Sequence, residues 1–219
     1  MKIGVINAGN IGSRLAKAWV LAGHEVMVSK DGERAKLQPL LAQLGDKALV
    51  GELEEAAQFS DVLLFSVYWL RFEQVIDRLG SLEGKIIIDT MNPLKVNEAF
   101  EHYHDLDFMQ SSSTSEELQQ RLPSAKVVKA FSTIPFHLLD KDVWQGSQML
   151  PSVFFAGDDT EAKKVVAQLI QDAGFSSIDA GSLHSARLLE SMGVLLHNIA
   201  EARNDSALNL APTFVSPAN

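Results

Sequence analysis

The chain begins Met1-Lys-Ile-Gly-Val-Ile-Asn-Ala-Gly-Asn-Ile-Gly12, which predicts a buried strand, a glycine-containing turn and then a helix. The strand is predicted over Lys2–Asn7, and the helix over Ile11–Ala22. In such a turn Gly9 lets the backbone approach a pyrophosphate, while Gly12 lets the helix pack closely on the strand. The unpaired N–H groups at the helix N-terminus then face the phosphates. The stretch therefore predicts a dinucleotide-phosphate site formed by Asn7, Ala8, Gly9, Asn10, Ile11 and Gly12.

One position departs from the usual G-x-G-x-x-G pattern, because Asn7 stands where the first glycine normally lies. Asparagine adopts a left-handed backbone more readily than most residues, so the turn can still form. The alternative is an ordinary strand–helix connection that binds nothing. The rest of the chain has to decide between the two interpretations.

Composition excludes several classes of function. The chain has 219 residues, a net charge of −9 and no cluster of Lys and Arg, which argues against nucleic acid or a membrane surface as a partner. It has no cysteine, so disulfides, thiolate zinc sites and cysteine nucleophiles are excluded. The N-terminus is not a secretory signal and no apolar run approaches the length of a membrane span. We therefore expect a cytoplasmic protein.

Short apolar runs alternate with segments of helical periodicity, which predicts an α/β protein with a Rossmann-type doubly wound, mostly parallel sheet. Thr114 with Glu117 predicts a capping box, Thr160 an N-cap and Gly174 a helix C-terminus. The remaining predicted strands are Glu25–Ser29, Val62–Ser66, Lys85–Asp89, Lys126–Ala130, Ser152–Ala156 and Ser176–Asp179. The remaining predicted helices are Glu33–Leu44, Leu70–Leu79, Thr160–Ala173 and Ser185–Arg203.

Ligands of an open parallel sheet lie at the carboxyl ends of its strands, so the residues after each run are the candidates for chemistry. After the second strand, Ser29 and Lys30 present a hydroxyl and an ammonium where an NAD enzyme usually places an acid. This pair favours the ribose 2′-phosphate of NADP(H). Asp31 could instead reach an unphosphorylated ribose, whereas Arg34 and Lys36 add positive charge or belong to an ordinary solvated turn.

Two further strand ends carry candidate residues. Ser66, Val67 and Tyr68 could cover a planar ring, although Tyr68 and the following Trp69 could equally be packing residues at a helix start. After the next strand, Asn92 presents an amide and Pro93 stiffens the loop.

The histidines give a weaker signal. His137 is the one histidine near a predicted strand-end cleft. We interpret His102 and His104 as part of a solvated loop rather than a metal site, and His24 and His197 as structural. No G-x-S-x-G motif supports acyl transfer.

Several segments in the same order carry a family resemblance: Ala8–Gly12, Ala22–Val26, Val127–Pro135, Ala156–Asp159, Lys163–Val166, Asp179–Leu183 and Arg187–Ser191. On these segments the chain resembles the NADP oxidoreductases that depend on the deazaflavin coenzyme F420. The same family occurs as the soluble oxidoreductase domain of membrane metalloreductases. The resemblance covers nearly the whole chain.

The resemblance implies an NADP-binding Rossmann domain over residues 1–150 and a small C-terminal extension over residues 151–219, with strand, helix, strand, helix and tail on the same sheet. It also implies a homodimer, and an acceptor ring stacked on the nicotinamide. The ring would lie between Ser66–Tyr68, the segment from Ala130 to Pro135 and the turn at Gly181–Leu183. The implied NADP(H) contacts include Ala130, and the implied acceptor contacts are Phe131, Ser132, Thr133, Ile134, Pro135, Gly181, Ser182 and Leu183.

The resulting prediction is an NADPH-dependent enzyme that passes hydride to a small-molecule acceptor such as a deazaflavin, FMN or FAD. Such transfer does not require a catalytic acid. A first alternative is a reductase of a small imine or carbonyl compound, whose proton donor would be Tyr68, Lys129 or His137. A second alternative is a regulatory protein that senses NADP(H) without turnover. No metal is expected.

Overall fold

A single eight-stranded sheet organises the computed structural model, which describes residues 1–32, 34–98, 102–144, 146, 149–205 and 209–214. The strands are β1 (Lys2–Ile6), β2 (Glu25–Val28), β3 (Ala48–Val50), β4 (Val62–Phe65), β5 (Ile86–Asp89), β6 (Leu94–Val96), β7 (His102–His104), β8 (Lys126–Ala130), β9 (Ser152–Gly157) and β10 (Ser176–Asp179). The helices are α1 (Asn10–Leu21), α2 (Gln38–Leu44), α3 (Leu53–Phe59), α4 (Phe72–Leu79), α5 (Leu106–Met109), α6 (Thr114–Arg121), α7 (Thr160–Asp172) and α8 (Ala186–Ala202).

The strand order of the sheet is β10-β9-β8-β5-β4-β1-β2-β3, and β6 and β7 form a separate antiparallel hairpin. The six neighbouring strands β8, β5, β4, β1, β2 and β3 run parallel to one another, as the near-continuous apolar runs predict. The chain order reverses between β1 and β4, so the crevice for a ligand opens between the carboxyl ends of these two strands. This confirms the predicted α/β, doubly wound architecture.

The last two strands run in the opposite direction. β9 pairs antiparallel with β8, with Val128 opposite Gly157, and β10 pairs parallel with β9. Residues that follow β9 and β10 therefore lie at the edge of the sheet where β8 begins. Lys126 at the start of β8 accordingly lies 3.2 Å from Asp159, just after β9. The division of the chain into domains at residue 150 stays a prediction.

Helices cover both faces of the sheet. On one face, α1 and α7 are joined by a buried hydrogen bond of 2.8 Å from Trp19 Nε1 to the carbonyl of Leu169. On the other, α3, α4 and α6 enclose a second cluster around Phe65 and Leu118. The seven predicted strands and the five predicted helices are all present, most of them within one or two residues. The sequence interpretation missed the three-residue strands β3, β6 and β7, which are too short to show a period. It also missed the short helices α3 and α5.

The structure corrects three local predictions. The segment before Leu44 is a 3₁₀ turn over Arg34–Leu37 followed by α2, because Pro39 fits only the first turn of an α-helix; Glu33 lies outside the described residues. Ser113 rather than Thr114 caps α6. Asp159 rather than Thr160 caps α7. Gly174, with φ +95°, follows α7 as predicted. Among the described residues, no helix is both long and apolar enough to cross a bilayer.

Candidate functional site

The turn after β1 adopts the geometry that the opening sequence predicts. Asn7 has φ +66°, in the left-handed region, so asparagine takes the place of the missing glycine. Its side-chain Nδ2 donates a hydrogen bond of 3.0 Å to the carbonyl of Ser66, at the end of β4. Asn7 therefore joins the two strands whose ends form the crevice.

The two glycines of the turn have different surroundings. A Cβ atom placed on Gly12 would lie 3.1 Å from both the carbonyl oxygen of Asn7 and Cγ1 of Val5, so a side chain there would force α1 and β1 apart. A Cβ atom on Gly9 would meet no protein atom closer than 4.0 Å. Gly9 is therefore not required by the packing of the protein itself. Open space beside a glycine at a helix N-terminus fits a phosphate that lies against the backbone.

A basic cavity of about 650 Å³ extends from this turn along α1 and β2. Five cationic side chains and two carboxylates line it. The cations are Arg14, Lys17, Lys30, Lys36 and Arg71, and the acids are Asp31 and Asp140. The excess of positive charge fits the phosphates of a dinucleotide. The side chains that line this cavity therefore meet the requirements of NADP(H).

Asp31, the acid that could have marked an NAD site, is already paired. Its carboxylate lies 2.6 Å from Arg71 and 3.3 Å from Arg78, and its side chain is 16% exposed. A carboxylate held by two guanidinium groups is a poor acceptor for further ribose hydroxyls. This pairing favours the phosphorylated ribose.

Two residues predicted to contact the ribose phosphate are engaged elsewhere. Ser29 is fully buried, and its hydroxyl donates to the carbonyl of Val5 at 2.7 Å, so it stabilises the strand end and has no path to a ligand. Arg34 donates to Glu52 and to the carbonyl of Val50, outside the basic cavity. These two assignments are corrected, and Lys30 stays in the cavity.

An apolar cavity of about 880 Å³ continues from the turn across the ends of β4, β5 and β8 to α8. It shares Asn7, Gly9, Asn10, Val67 and Tyr68 with the basic cavity, so the two form one continuous groove. Its volume lies in the range of small-molecule sites. Predicted residues that line it also include Ile11, Ser66, Asn92, Phe131, Ser132, Thr133, Ile134, Pro135 and His137.

Three buried polar atoms at this cavity have no hydrogen-bond partner among the described residues: Asn92 Oδ1, Ser132 Oγ and Thr133 Oγ1. The side chains of Ser132 and Thr133 are 8% and 2% exposed. The other end of the Asn92 amide, Nδ2, donates to the carbonyl of Ser132 at 3.0 Å. Buried polar groups are normally paired, so these atoms offer hydrogen bonds to a ligand in the cavity.

Several predicted contacts lie elsewhere. Phe131 has φ +63°, and its ring points into the core against Trp19 and Phe175, so its backbone rather than its ring faces the cavity. Pro93 and Ala130 are buried and line neither cavity.

The turn at Gly181–Leu183 is not near the cavity, because β9 and β10 run antiparallel to the rest of the sheet. It packs instead against the start of the β9–α7 connection, with Leu183 N–H donating to Asp158 at 2.9 Å. This prediction is corrected.

Helix α8 forms a wall that the sequence interpretation did not assign to the site. Gly193, Leu196, His197 and Ala200 line the apolar cavity. The ring of His197 lies 4.9 Å from that of His104 on β7. Burial lowers the pKa of His104 to about 4, with a smaller effect from His197, and partial burial also lowers the pKa of His197. Both rings are therefore neutral at pH 7. The described residues hold no group of three or more metal-ligating side chains.

The predicted proton-donor candidates are divided between two places. Tyr68 lines both cavities, and His137 lines the apolar one, where its Nε2 lies 3.1 Å from Asn209 Oδ1. Lys129 is fully buried behind the cavity. Its ammonium contacts the carboxylates of Asp89 and Glu190.

Other site residues went unassigned because their placement depends on tertiary packing. Arg14 and Lys17 share one face of α1, a spacing that could have been noticed from the sequence. Arg71 and the residues of α8 gave no local signal, since they reach the groove only through the folded arrangement of helices.

A Rossmann sheet with a basic cavity and an apolar cavity meeting at its switch point defines the class of dinucleotide-binding oxidoreductases. Residues 2–93 match the model of the family described as NADP oxidoreductase coenzyme F420-dependent, so the chain carries a domain of that family.

The chain is also distantly homologous to a metalloreductase, STEAP3 of Rattus norvegicus, with 31% identity over 89% of this chain and 37% of the relative. It spans about two fifths of the length of the curated metalloreductases that it matches.

Solved structures share the fold. A protein from Arthrobacter sp. FB24, provisionally described as an F420-dependent NADP-reductase, superposes with a TM-score of 0.83 at 25% identity, covering 94% of this chain and 96% of the other. A reductive aminase from Aspergillus terreus, in complex with NADPH and ethyl levulinate, has a TM-score of 0.65 at 19% identity, covering 93% and 62%. The second likeness shows the fold alone.

Proposed function

We propose that this protein is an NADPH-dependent oxidoreductase that passes hydride between the nicotinamide and a flavin-like or deazaflavin-like ring. The observation that carries the proposal is the continuous groove, in which a basic cavity and an apolar cavity meet at Asn7–Asn10. One end suits phosphates and the other suits planar rings.

Each part of the groove has a task in this function. The turn at Gly9 and the N-terminus of α1 would hold the pyrophosphate, and Lys30 with its basic neighbours would hold the ribose 2′-phosphate. Ser66, Val67 and Asn92 would position the nicotinamide end. When bound, the nicotinamide supplies the hydride.

The protein contributes mainly by positioning the acceptor. The rings of Tyr68 and Trp69 and the side chains of Met91 and Leu196 give the cavity apolar walls, which exclude water from the acceptor. The hydroxyls of Ser132 and Thr133 can orient a polar edge of the ring. Hydride transfer between two rings needs alignment more than an acid, so no catalytic acid is assigned.

The test is anaerobic mixing of the protein and NADPH with a tailless deazaflavin, riboflavin and FMN, followed by absorbance. Reduction of at least one ring supports the proposal. If NADPH binds but reduces none of the three compounds, the proposal fails and the NADP(H)-sensing alternative gains support.

A second candidate is the reduction of a small imine or carbonyl compound. One observation favours it: both Tyr68 and His137, the predicted proton donors, line the apolar cavity. A carbonyl panel tests this candidate. Activity that falls on Tyr68→Phe or His137→Gln would support it, and activity unchanged in both variants would contradict it.

We also propose that the protein is a homodimer. The face of α8 that points away from the sheet carries exposed Leu188 and Leu195, on which a second copy could pack. Light scattering on the purified chain measures the mass directly, and a monomer at micromolar concentration would contradict the proposal.

A further inference from the structure

We propose that the apolar cavity selects ring acceptors whose side chain carries no negative charge, so that a cationic side chain is bound best and a phosphorylated one worst. This inference rests on the proposed function and deepens it, since it defines the chemical class of the acceptor. It follows from the distribution of charge along the groove.

The two ends of the groove differ sharply in charge. No Lys or Arg is found among the described residues that line the apolar cavity, whereas Glu201 and Asp205 both line it. The residues outside the described ranges include no Lys or Arg in the sequence either. The basic cavity has five cations against two acids. Phosphate binding is therefore provided at one end only.

The acids lie where the backbone adds to their effect. Glu201 belongs to the last turn of α8 and Asp205 follows that helix. The C-terminus of a helix carries a partial negative charge from its aligned peptide dipoles. Both the side chains and the helix therefore make the outer end of the cavity favourable for a cation and unfavourable for a phosphate.

Asp205 is held in place at the mouth of the cavity. Its carboxylate accepts hydrogen bonds from Asn209, at 2.8 Å from the backbone N–H and 3.0 Å from Nδ2. Asn209 Oδ1 in turn lies 3.1 Å from Nε2 of His137 on the opposite rim. The negative group is thus part of an ordered connection between α8 and the loop after β8. Glu201 is exposed and makes no ion pair within the described part of the chain.

Among the described residues that line the cavity, neither Lys nor Arg offsets these charges. His197 and the adjacent His104 are neutral at pH 7, because burial lowers the pKa of both. The guanidinium of Arg14 lies 5.1 Å from the ring centroid of Phe136 and donates to the carbonyl of Asn10. It belongs to the first turns of α1, at the phosphate end of the groove.

Unpaired polar atoms indicate that the cavity is built for a ligand. Ser132 Oγ and Thr133 Oγ1 are buried without hydrogen-bond partners in the described part of the chain, and they can bind carbonyl or N–H groups of an uncharged ring. Hydroxyl groups bring no positive charge to a phosphate dianion, whereas Arg and Lys do. The polar atoms therefore match a neutral or cationic heterocycle.

The test compares three flavins that share one ring and differ in the charge of the side chain. They are an aminoalkyl flavin, riboflavin and FMN, which carry an ammonium, no charge and a phosphate respectively. Dissociation constants are measured by flavin fluorescence with the NADP⁺ complex, and KM is measured with NADPH. We expect FMN to bind about tenfold more weakly than riboflavin, and the aminoalkyl flavin more tightly than riboflavin.

Glu201→Gln separates the local charge from the net charge of −9, which also repels anions. This variant should lower the ratio of the FMN dissociation constant to the riboflavin dissociation constant about threefold, and Glu201→Lys should lower that ratio further. The matched control is Asp61→Asn, which removes one charge from a side chain that is 98% exposed at the opposite edge of the sheet. The control should leave the ratio unchanged.

Equal dissociation constants for the three flavins would overturn the inference. So would an equal change of the FMN-to-riboflavin ratio of dissociation constants in Glu201→Gln and Asp61→Asn. If the flavins bind in the expected order but NADPH reduces neither them nor the tailless deazaflavin, the proposed function alone is overturned. If neither the three flavins nor the tailless deazaflavin binds, both are overturned.

Discussion

Lys129 Nζ lies 2.7 Å from Glu190 Oε1, and neither side chain is exposed to solvent. The same ammonium contacts Asp89 at 3.2 Å and the hydroxyl of Thr114 at 2.7 Å. The cluster thereby joins β5, β8, α6 and α8 immediately behind the apolar cavity. It holds the wall formed by α8 against the strand ends that form the floor of the cavity.

Removal of the ammonium should destabilise the fold strongly. Lys129→Met leaves the buried Asp89 and Glu190 without a counter-charge, which typically costs about 3–5 kcal/mol. We expect this loss in the free energy of unfolding measured with urea. Lys126→Met, in the same strand at a half-exposed ion pair with Asp159, is the control and should cost less than about 1 kcal/mol. Similar losses in both variants would contradict a special role for the buried cluster.

The stability contributed by Glu190 should depend on pH. Burial raises the pKa of Glu190, against the opposing effect of Lys129. The folded protein therefore holds this proton more tightly than the unfolded chain, and the contribution is lost as the pH rises through the raised pKa.

Glu190→Gln keeps an acceptor for the N–H of Thr114 but does not titrate. We expect the unfolding free energy of the variant, relative to the unaltered chain, to increase as the pH rises above the ordinary glutamate pKa of about 4.3. Glu161→Gln, at an exposed carboxylate, is the control. A relative stability that stays constant or decreases with pH would show that the buried carboxyl is not preferentially protonated.

Substitution of the two glycines of the turn should separate an effect on NADPH affinity from an effect on the stability of the fold. Gly9→Ala adds a methyl group to open space, so the melting temperature should hardly change while NADPH affinity falls by at least about tenfold. Gly12→Ala forces contacts of 3.1 Å with Asn7 and Val5, so we expect a loss of about 1–3 kcal/mol in stability as well. Calorimetry and fluorescence titration measure the two quantities. Unchanged NADPH affinity in Gly9→Ala would remove this turn from the pyrophosphate site.

The choice between the two cofactors should depend on Lys30. Lys30→Ala removes a cation from the basic cavity and should weaken NADPH about tenfold more than NADH. Arg34→Ala is the matched control, because its guanidinium is bound to Glu52 and Val50 outside that cavity. Equal effects of Lys30→Ala on the two cofactors would exclude Lys30 from the 2′-phosphate site.

The sequence was sufficient where local chemistry decides the structure. The parallel strands could be predicted from their apolar runs, and the turn at Asn7–Gly12 from residue types that tolerate its backbone. Asn7 shows this well, since its φ of +66° is the conformation that a glycine would have supplied. The position of Lys30 in the cavity beside this turn could be predicted, because the carboxyl ends of parallel strands lie at the same edge of a sheet.

Tertiary structure decided the features that depend on strand direction and on distant partners. Gly181–Leu183 lies at the wrong edge of the sheet for the cavity, because β9 runs antiparallel to β8. Ser29 is buried, and Asp31 is paired with Arg71 and Arg78. The sequence shows that these four residues are polar, but it does not show their burial or their pairing. No local pattern shows which ones a ligand can reach.

By itself, then, the sequence determined the sheet and its glycine turn, because those follow from periodicity and backbone conformation within a few residues. Only the folded chain placed α8, with Glu201 and His197, across the strand ends and buried Lys129 between two carboxylates. The shape and charge of the apolar cavity arise from contacts between residues that lie 40 or more positions apart, which helical or strand periodicity does not encode.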